Sequence, residues 1–412
     1  MRVLVIGGGI GGLSAALSLH AAGIDCSVHE ANAEVRPLGV GINLQPHSVR
    51  ELIELGLGDE LAGIGIATRE FVYANRFGQV IWREPRGVAA GYDWPQYSVH
   101  RGRLQMMLWQ AATARLGADK VRAGQRLLGF EQDAAGVTAH FADGSTAQGD
   151  VLVAADGIHS VVRQGFFPDE GVPKWNGALL WRATSVAPDY LSGASMVQAG
   201  HRDQKFVCYP IGRTADGQSL VNWIAEQRFP TETLWAREDW NRPAEIGKFL
   251  PLFEEWDFGW LNVPALIRSA EAVYEFPMVD RDPLPWWTKG RATLLGDAAH
   301  PMYPIGSNGA SQTILDARIL ARELATAPDW QAGLARYEAE RRPATAAVVQ
   351  ANRGDGPDRV MDIVHERAPG GFERLEDVAS HAELEAVIMS YKRTAGMDPA
   401  VLNGRASWSV RR

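Results

Sequence analysis

The 412-residue chain is poor in cysteine, with only Cys26 and Cys208. Two cysteines so far apart build neither a disulfide framework nor a thiolate metal cluster, and a reducing, cytoplasmic setting is expected. Cys26 falls in an apolar stretch and reads as a small buried hydrophobe. The ten histidines lack H-x-x-x-H or H-E-x-x-H spacing, so no metal site is expected. No run approaches the roughly 18 apolar residues of a spanning helix, so no membrane partner is expected. Positive charge is in deficit, 41 Lys and Arg against 49 Asp and Glu, and the net charge of −8 argues against a nucleic-acid partner. Internal repeats and low-complexity linkers are absent, and no nucleophile–base pair stands out, so no catalytic side chain is assigned. The oligomeric state is not specified.

What is present begins at Val3–Glu30, VLVIGGGIGGLSAALSLHAAGIDCSVHE. An apolar strand enters a turn with Gly7, Gly9 and Gly12 in G-x-G-x-x-G register, and aliphatic residues then recur at helical spacing. Gly7 suits the tight turn, Gly9 admits a pyrophosphate to the backbone, and Gly12 lets the helix pack on the strand. The helix N-terminus offers N–H donors and a positive dipole end. A second strand, 26–29, ends on Glu30, an acceptor for a ribose hydroxyl. FAD or NAD fits this site and NADP does not. The glycine cluster breaks any apolar core of a signal peptide.

The pattern predicts a helix at 47–55 after an irregular stretch from Arg36 to Pro46, strands at 71–74 and 80–82, and a helix at 101–116. Strands at 137–141 and 151–154 flank Asp143-Gly144, a hairpin-type dipeptide. From 172 to 285 longer strands carry aromatics, with helices expected near 242–257 and 263–270. An apolar strand returns at 292–295, helices dominate from 309, and Arg411-Arg412 reads as a frayed end. The expected fold is α/β. A Rossmann-like FAD-binding domain (1–70, 96–171 and 286–350) is interrupted by an antiparallel-sheet substrate domain (71–95 and 172–285), and 351–412 form a C-terminal helical segment.

Two further motifs end strands on acids. VLVAADGIHSVVR places Asp156 at the carboxyl end of a strand, where ligand crevices form. ATLLGDAAHPMYPIGSNGASQTILDA places Asp297 similarly, then a loop of small residues before a helix near Gly309, where backbone can approach a flat ligand. GGGIGG, AADGIHSVVR and LLGDAAHPMYP in this order resemble the FAD-dependent aromatic hydroxylases, the class A flavoprotein monooxygenases. The resemblance extends to about residue 350.

That resemblance implies a resident FAD, transient NADH or NADPH, and hydroxylation of a small aromatic substrate by O2 through a C4a-hydroperoxyflavin. Gly9, Ile10, Gly11 and Gly12 would line the pyrophosphate, with Glu30 on the ribose. Gly41 and Ile42 would pass the flavin edge, Arg101 would approach the diphosphate or ribityl chain, and the Leu127 backbone would meet the adenine. Asp156 would serve FAD and NAD(P)H use, with Arg163 supporting its turn. Asp297 would hold the ribityl chain, and His300 would order the following loop. Pro304, Gly306, Asn308, Gly309 and Ala310 would lie along the flavin. Many relatives have Gln-Gly and a later Asn where this chain has Asn308-Gly309 and Ser311.

Trp181, Tyr209, Trp223 and Met278 are candidates to line the substrate pocket, with core packing the alternative for each. Arg182 and His47 are candidates for a substrate carboxylate or phenolate. Trp181 and Arg182 are neighbours on a strand, so at most one of them faces inward. The Glu338–Arg342 run reads as a solvated helix face. A reductase or dehydrogenase on the same fold, or a non-catalytic flavoprotein, remains the alternative function.

Overall fold

The computed structural model describes residues 1–35, 40–230 and 242–410. Residues 36–39 of the irregular stretch and the Arg411-Arg412 end therefore lie outside the described residues. A six-stranded sheet runs in the order Thr288–Lys289, Ala292–Leu294, Val151–Ala154, Arg2–Ile6, Asp25–His29, Val121–Arg122, parallel except at its first pair. Arg2–Ile6 has parallel neighbours on both edges and helices over it, so Val3 to Ile6 are all buried, as a continuous apolar run requires.

The turn after this strand is made by absent side chains. Gly7 sits at φ +107°, a region that strains L residues. A Cβ on Gly12 would lie 1.9 Å from the Gly7 carbonyl oxygen. A Cβ on Gly11 would lie 2.5 Å from Thr313 Cγ2, so Gly11 lets helix Ile10–Ala21 seat against helix Gly309–Thr326.

A seven-stranded sheet orders Tyr274–Asp280, Lys174–Ala187, Ser219–Arg228, Gln204–Arg213, Ser195–His201, Glu70–Ala74 and Val80–Pro85. It is antiparallel except where Ser195–His201 runs parallel to Glu70–Ala74. Its two faces separate by strand alternation. Trp181, Phe206, Cys208 and Trp223 pack with Phe249, Phe253 and Trp256 in one apolar cluster. The other face carries Leu180, Val207, Tyr209 and Ile224, which cluster with Tyr303, Ile305 and the C-terminal helix residues Val360, Val364 and Ile388. C-terminal helices Trp330–Arg353, Arg359–Arg367, His381–Thr394 and Pro399–Gly404 complete the chain.

The architecture agrees with the expected α/β class, but two local readings are corrected. The Asp143-Gly144 turn joins Val137–Phe141 to Thr146–Gly149, whereas Val151–Ala154 pairs with Arg2–Ile6 in the parallel sheet. The expected helix near 242–257 is two 3₁₀ turns, Ile246–Lys248 and Leu250–Phe253. Gly247 and Pro251 disfavour a continuous α-helix there.

Gly12→Ala is expected to lower the melting temperature, because overpacking against rigid backbone costs about 1–3 kcal/mol or more. Thermal unfolding checks this, and an unchanged melting temperature would overturn it.

Candidate active site

A cavity of about 350 Å³ lies between the two sheets. Gly9, Ile10 and Gly11 reach it from the first helix N-terminus, and Asn308, Gly309 and Ala310 from that of Gly309–Thr326. Gly41, Ile42 and Arg101 form one wall, and Asp297, Pro304 and Gly306 another. Gly7, Gly12, Glu30, Leu127 and Asp156 are not among the residues that line it.

Glu30 is a fixed acceptor at the end of its strand. Oε2 accepts the Gly8 N–H at 2.7 Å, and Oε1 accepts the Asn32 N–H and Nδ2–H, each at 2.8 Å. Nearby, the Gln125 N–H bonds the Glu30 carbonyl at 2.7 Å, two residues before Leu127 opens a strand as a buried residue. Asp156 Oδ2 accepts the Val161 N–H at 2.9 Å, while its buried Oδ1 makes no hydrogen bond of ordinary geometry among the described residues, with the Ser160 side chain nearby favouring the carboxylate. Burial pushes this carboxyl up. Its neighbours Ala155 and Gly157 do line the cavity. Arg163, 1% exposed, pairs with Glu170 and donates to the Ala298 and Ala299 carbonyls at 3.0 and 2.9 Å. It thereby ties the segment after Asp156 to the turn bearing Asp297.

That turn rests on a buried carboxylate. Asp316 Oδ2 accepts the Gly296 N–H at 3.1 Å and His300 Nε2–H at 2.5 Å, and Oδ1 accepts from Arg341 Nε at 2.7 Å. Burial opposes the Asp316 charge, but His300 and Arg341 hold its carboxyl below the ordinary range. Arg341 thus corrects the reading of Glu338–Arg342 as solvated. Tyr337, Arg341 and Thr345, spaced by four, form the buried stripe of that helix. An acid in the apolar run ILDARIL was the available signal for Asp316.

The loop before Gly309 is held by the C-terminal segment. Tyr391 Oη accepts Asn308 Nδ2–H at 3.1 Å and donates to Asn352 Oδ1 at 2.8 Å. A Cβ on Gly306 would fall 2.1 Å from that oxygen. Asn308 is fully buried with its amide nitrogen engaged and its Oδ1 without a hydrogen bond among the described residues, and Ser311 Oγ accepts the Gln45 N–H at 3.1 Å. Tyr391 and Asn352 carry no local motif, so sequence reasoning did not single them out.

On the seven-stranded sheet, Tyr209, Met278 and Arg182 line the cavity. Trp181 and Trp223 do not, which corrects both as pocket candidates. Alternation turns them to the far face, where Trp181 stacks on Phe249 at 4.6 Å and Trp223 Nε1–H bonds Ser185 Oγ at 2.9 Å. Arg182 donates to the Gly41 carbonyl at 3.0 Å and lies 5.2 Å over the Phe276 ring. Among the described residues no carboxylate pairs with it, and burial pushes its guanidinium down. Burial pushes the Tyr209 phenol up to about 12 against the pull of Arg182, so it holds its proton at neutral pH.

His47 is also corrected as a substrate ligand. It is buried in helix Pro46–Glu54, outside the cavity lining, and neither ring nitrogen has a hydrogen-bond partner among the described residues. Burial, with the charges of Arg341 and Arg405, pushes it down to about 3.

The donors and acceptors suit a flavin dinucleotide. Two helix N-termini face the cavity, and a Cβ on Gly9 would meet nothing within 4 Å. The Asp297 carboxyl opens into the cavity and takes no hydrogen bond from a described residue, leaving an acceptor for a ligand hydroxyl. Burial pushes it up, with His300 and Arg101 opposing.

Comparison with known proteins agrees with this geometry. A family model described as an FAD binding domain matches residues 1–223 and 274–352. The phenazine 1,6-dicarboxylic acid hydroxylase PhzS of Lysobacter antibioticus is 44% identical over 400 residues, 95% of this chain and 96% of that protein. The 6-hydroxynicotinate 3-monooxygenase of Bordetella bronchiseptica is 30% identical over 374 residues, 89% and 91% of the two chains. Among solved structures, Klebsiella pneumoniae HpxO complexed with FAD and uric acid aligns with a TM-score of 0.74 at 26% identity, covering 98% of this chain and 97% of that one.

The burial of His47 generates a pH prediction. The unfolded histidine titrates near 6.5 and the folded one near 3, so acid protonates the unfolded chain first. The stability contributed by neutral His47 is complete above 6.5 and is lost as pH falls toward 3, at up to about 1.4 kcal/mol per pH unit. His47→Leu is expected to flatten the decline of melting temperature between about pH 6.5 and 4.5; an equally steep profile would count against it.

Proposed function

The chain belongs to the FAD-dependent aromatic hydroxylase family, and from that premise we propose how its residues divide the reaction between cofactor and substrate. The reaction class is hydroxylation of an aromatic or heteroaromatic small molecule, with one atom of O2 entering the ring, the other leaving as water, and NADH or NADPH as reductant. Bound FAD supplies hydride acceptance and oxygen activation; the protein supplies binding, orientation and a dry cavity.

In this reading the N–H groups of Gly9, Ile10 and Gly11 meet the FAD diphosphate, with Gly7 and Gly12 shaping the turn. Glu30 takes a ribose hydroxyl, the Leu127 backbone meets the adenine, Arg101 neutralises diphosphate charge, and Asp297 accepts from the ribityl chain. Asp156 offers its Oδ1, which lacks an ordinary hydrogen bond among the described residues, beside the same groove. Gly41 and Ile42 flank one edge of the ring system. Pro304, Gly306, Asn308, Gly309 and Ala310 flank the other, where a helix N-terminus stabilises developing negative charge. Residues 1–70, 96–171 and 286–350 form the cofactor unit, 71–95 and 172–285 the substrate unit, and 351–412 a helical buttress. The enzyme acts in the cytoplasm.

Phe71, Met196, Val207, Ile224 and Met278 give the substrate an apolar slot that excludes water. Arg182, without a carboxylate partner, takes an anionic or carbonyl group of the ring, and Tyr209 donates its hydroxyl hydrogen beside it. The relatives' phenazine, hydroxynicotinate and urate substrates share a flat shape and polar edge groups, and we place the substrate of this chain in that class. The observation that carries the reading is the single cavity joining both helix N-termini to this apolar sheet face.

Two measurements test it. The FAD-loaded enzyme, screened with phenazine carboxylates, hydroxynicotinate and hydroxybenzoates, is expected to show stimulated NAD(P)H oxidation and one ¹⁸O atom from ¹⁸O2 in the product. Turnover without labelled product would favour a reductase instead. Asp297→Ala is expected to purify with reduced FAD content. A variant that stays fully yellow would reject the ribityl assignment.

A further inference from the structure

Three charged side chains end the cavity on its sheet face. Lys205, Glu226 and Asp358 all line it and are respectively 3%, 4% and 2% exposed. Lys205 and Glu226 are direct cross-strand partners, while Asp358 comes from the turn before helix Arg359–Arg367. Lys205 Nζ donates to Asp358 Oδ2 at 2.6 Å and lies 3.7 Å from a Glu226 oxygen. One ammonium thus faces two carboxylates. Asp358 Oδ1 is buried and makes no hydrogen bond of ordinary geometry among the described residues, although the Gln198 side chain, which also lines the cavity, lies close enough to favour the Asp358 charge.

The neighbouring cations do not cancel the surplus. Arg202 pairs with Asp355, and Arg228 lies within 4.0 Å of that same carboxylate and 3.8 Å of Asp203. Asp362 adds a further acid, accepting the Arg202 N–H at 2.8 Å. The opposite end of the slot has the reverse polarity, with Arg182 lacking a carboxylate beside Tyr209. Tyr209 and Lys205 are four residues apart on one strand, a span of about 13 Å at roughly 3.3 Å per residue. Leu180, Val207, Ile224 and Phe276 form the apolar floor around that span.

We propose that Lys205, Glu226 and Asp358 form a substrate-discriminating subsite that takes a hydrogen-bond donor, an amino, hydroxyl or protonated ring-nitrogen group, on the ring edge away from Arg182. This rests on the aromatic-hydroxylase reading and adds the substrate's polarity to it. A carboxylate at this end would face two acids across one already engaged ammonium and would be repelled. A donor would give Asp358 Oδ1 the hydrogen bond it lacks among the described residues and relieve desolvation that Lys205 and Gln198 offset only in part. Burial pushes both acids up, opposed by Lys205, so a donor group stabilises their ionised form. The residues are discriminating rather than catalytic, and their effect falls on KM more than on kcat.

The test uses FAD-loaded enzyme with phenazine and 1-aminophenazine, following the flavin absorbance change on binding and the kinetics of NAD(P)H oxidation. Wild type is expected to bind the amino compound about 10- to 100-fold tighter, the range of a hydrogen bond to a charged acceptor. Asp358→Asn is expected to narrow that ratio about tenfold while the affinity for phenazine stays within about twofold. Glu226→Gln shifts the ratio in the same direction, and it carries the test alone if Asp358→Asn fails to retain FAD. An unchanged ratio in the folded variants, or an equal loss for both compounds, would overturn the subsite while leaving the hydroxylase reading intact. Absence of binding and of stimulated oxidation with both rings and with the screened acids would overturn that reading, and the subsite with it.

Discussion

The site depends on how closely two helices approach. Ile10–Ala21 and Gly309–Thr326 can bring their N-termini to one cavity because Gly11 has no Cβ to meet Thr313, which would lie 2.5 Å away. Each helix end alone is a common anion-binding feature, and their convergence creates a site long enough for an extended ligand. The second helix is fixed in turn by Asp316, whose carboxylate gathers the Gly296 N–H, His300 and Arg341. A buried charge with this many partners is costly to disturb, because removing one partner leaves the others uncompensated. Asp297, the one carboxyl in the turn left open to the cavity, is positioned by that neighbour rather than by contacts of its own.

Much of this was legible because glycine and strand-end acids act locally. The G-x-G-x-x-G turn, the helix at Arg101–Leu116 and the strand ending before Asp156 each follow from residues within a few positions. What escaped the sequence was contact between distant segments. Trp181 and Trp223 looked like pocket residues because aromatics suit both a core and a ligand slot, and only the facing element decides. Here Phe249 and Phe253 cover their face. Arg341 looked solvated because its neighbours Glu340 and Arg342 are charged. The carboxylate that buries it lies 25 residues earlier, on another helix. Tyr391 and Asn352 were invisible for the same reason, since they matter only through the loop they hold.

The cavity shows how one sheet face provides both apolar walls and polar ends. Period-two alternation sends Leu180, Arg182, Lys205, Val207, Tyr209, Ile224 and Glu226 to the same side. The middle of this face is apolar, and charge appears at its margins with opposite sign. Such a surface can hold a flat molecule by its edges while its faces meet hydrocarbon.

The parallel pairing of Ser195–His201 with Glu70–Ala74 has a consequence for how the chain reaches this state. The seven-stranded sheet cannot be completed from one contiguous stretch, because two of its strands come from before residue 86 and another from after residue 273. Synthesis from the N-terminus therefore leaves Glu70–Ala74 and Val80–Pro85 waiting, with an unpaired edge, until more than a hundred further residues have emerged. Such long-range pairing forms slowly, because the intervening loop must close before the contacts reward it. The seven-stranded sheet, and with it the cavity it lines, therefore closes only through contacts between segments far apart in the chain.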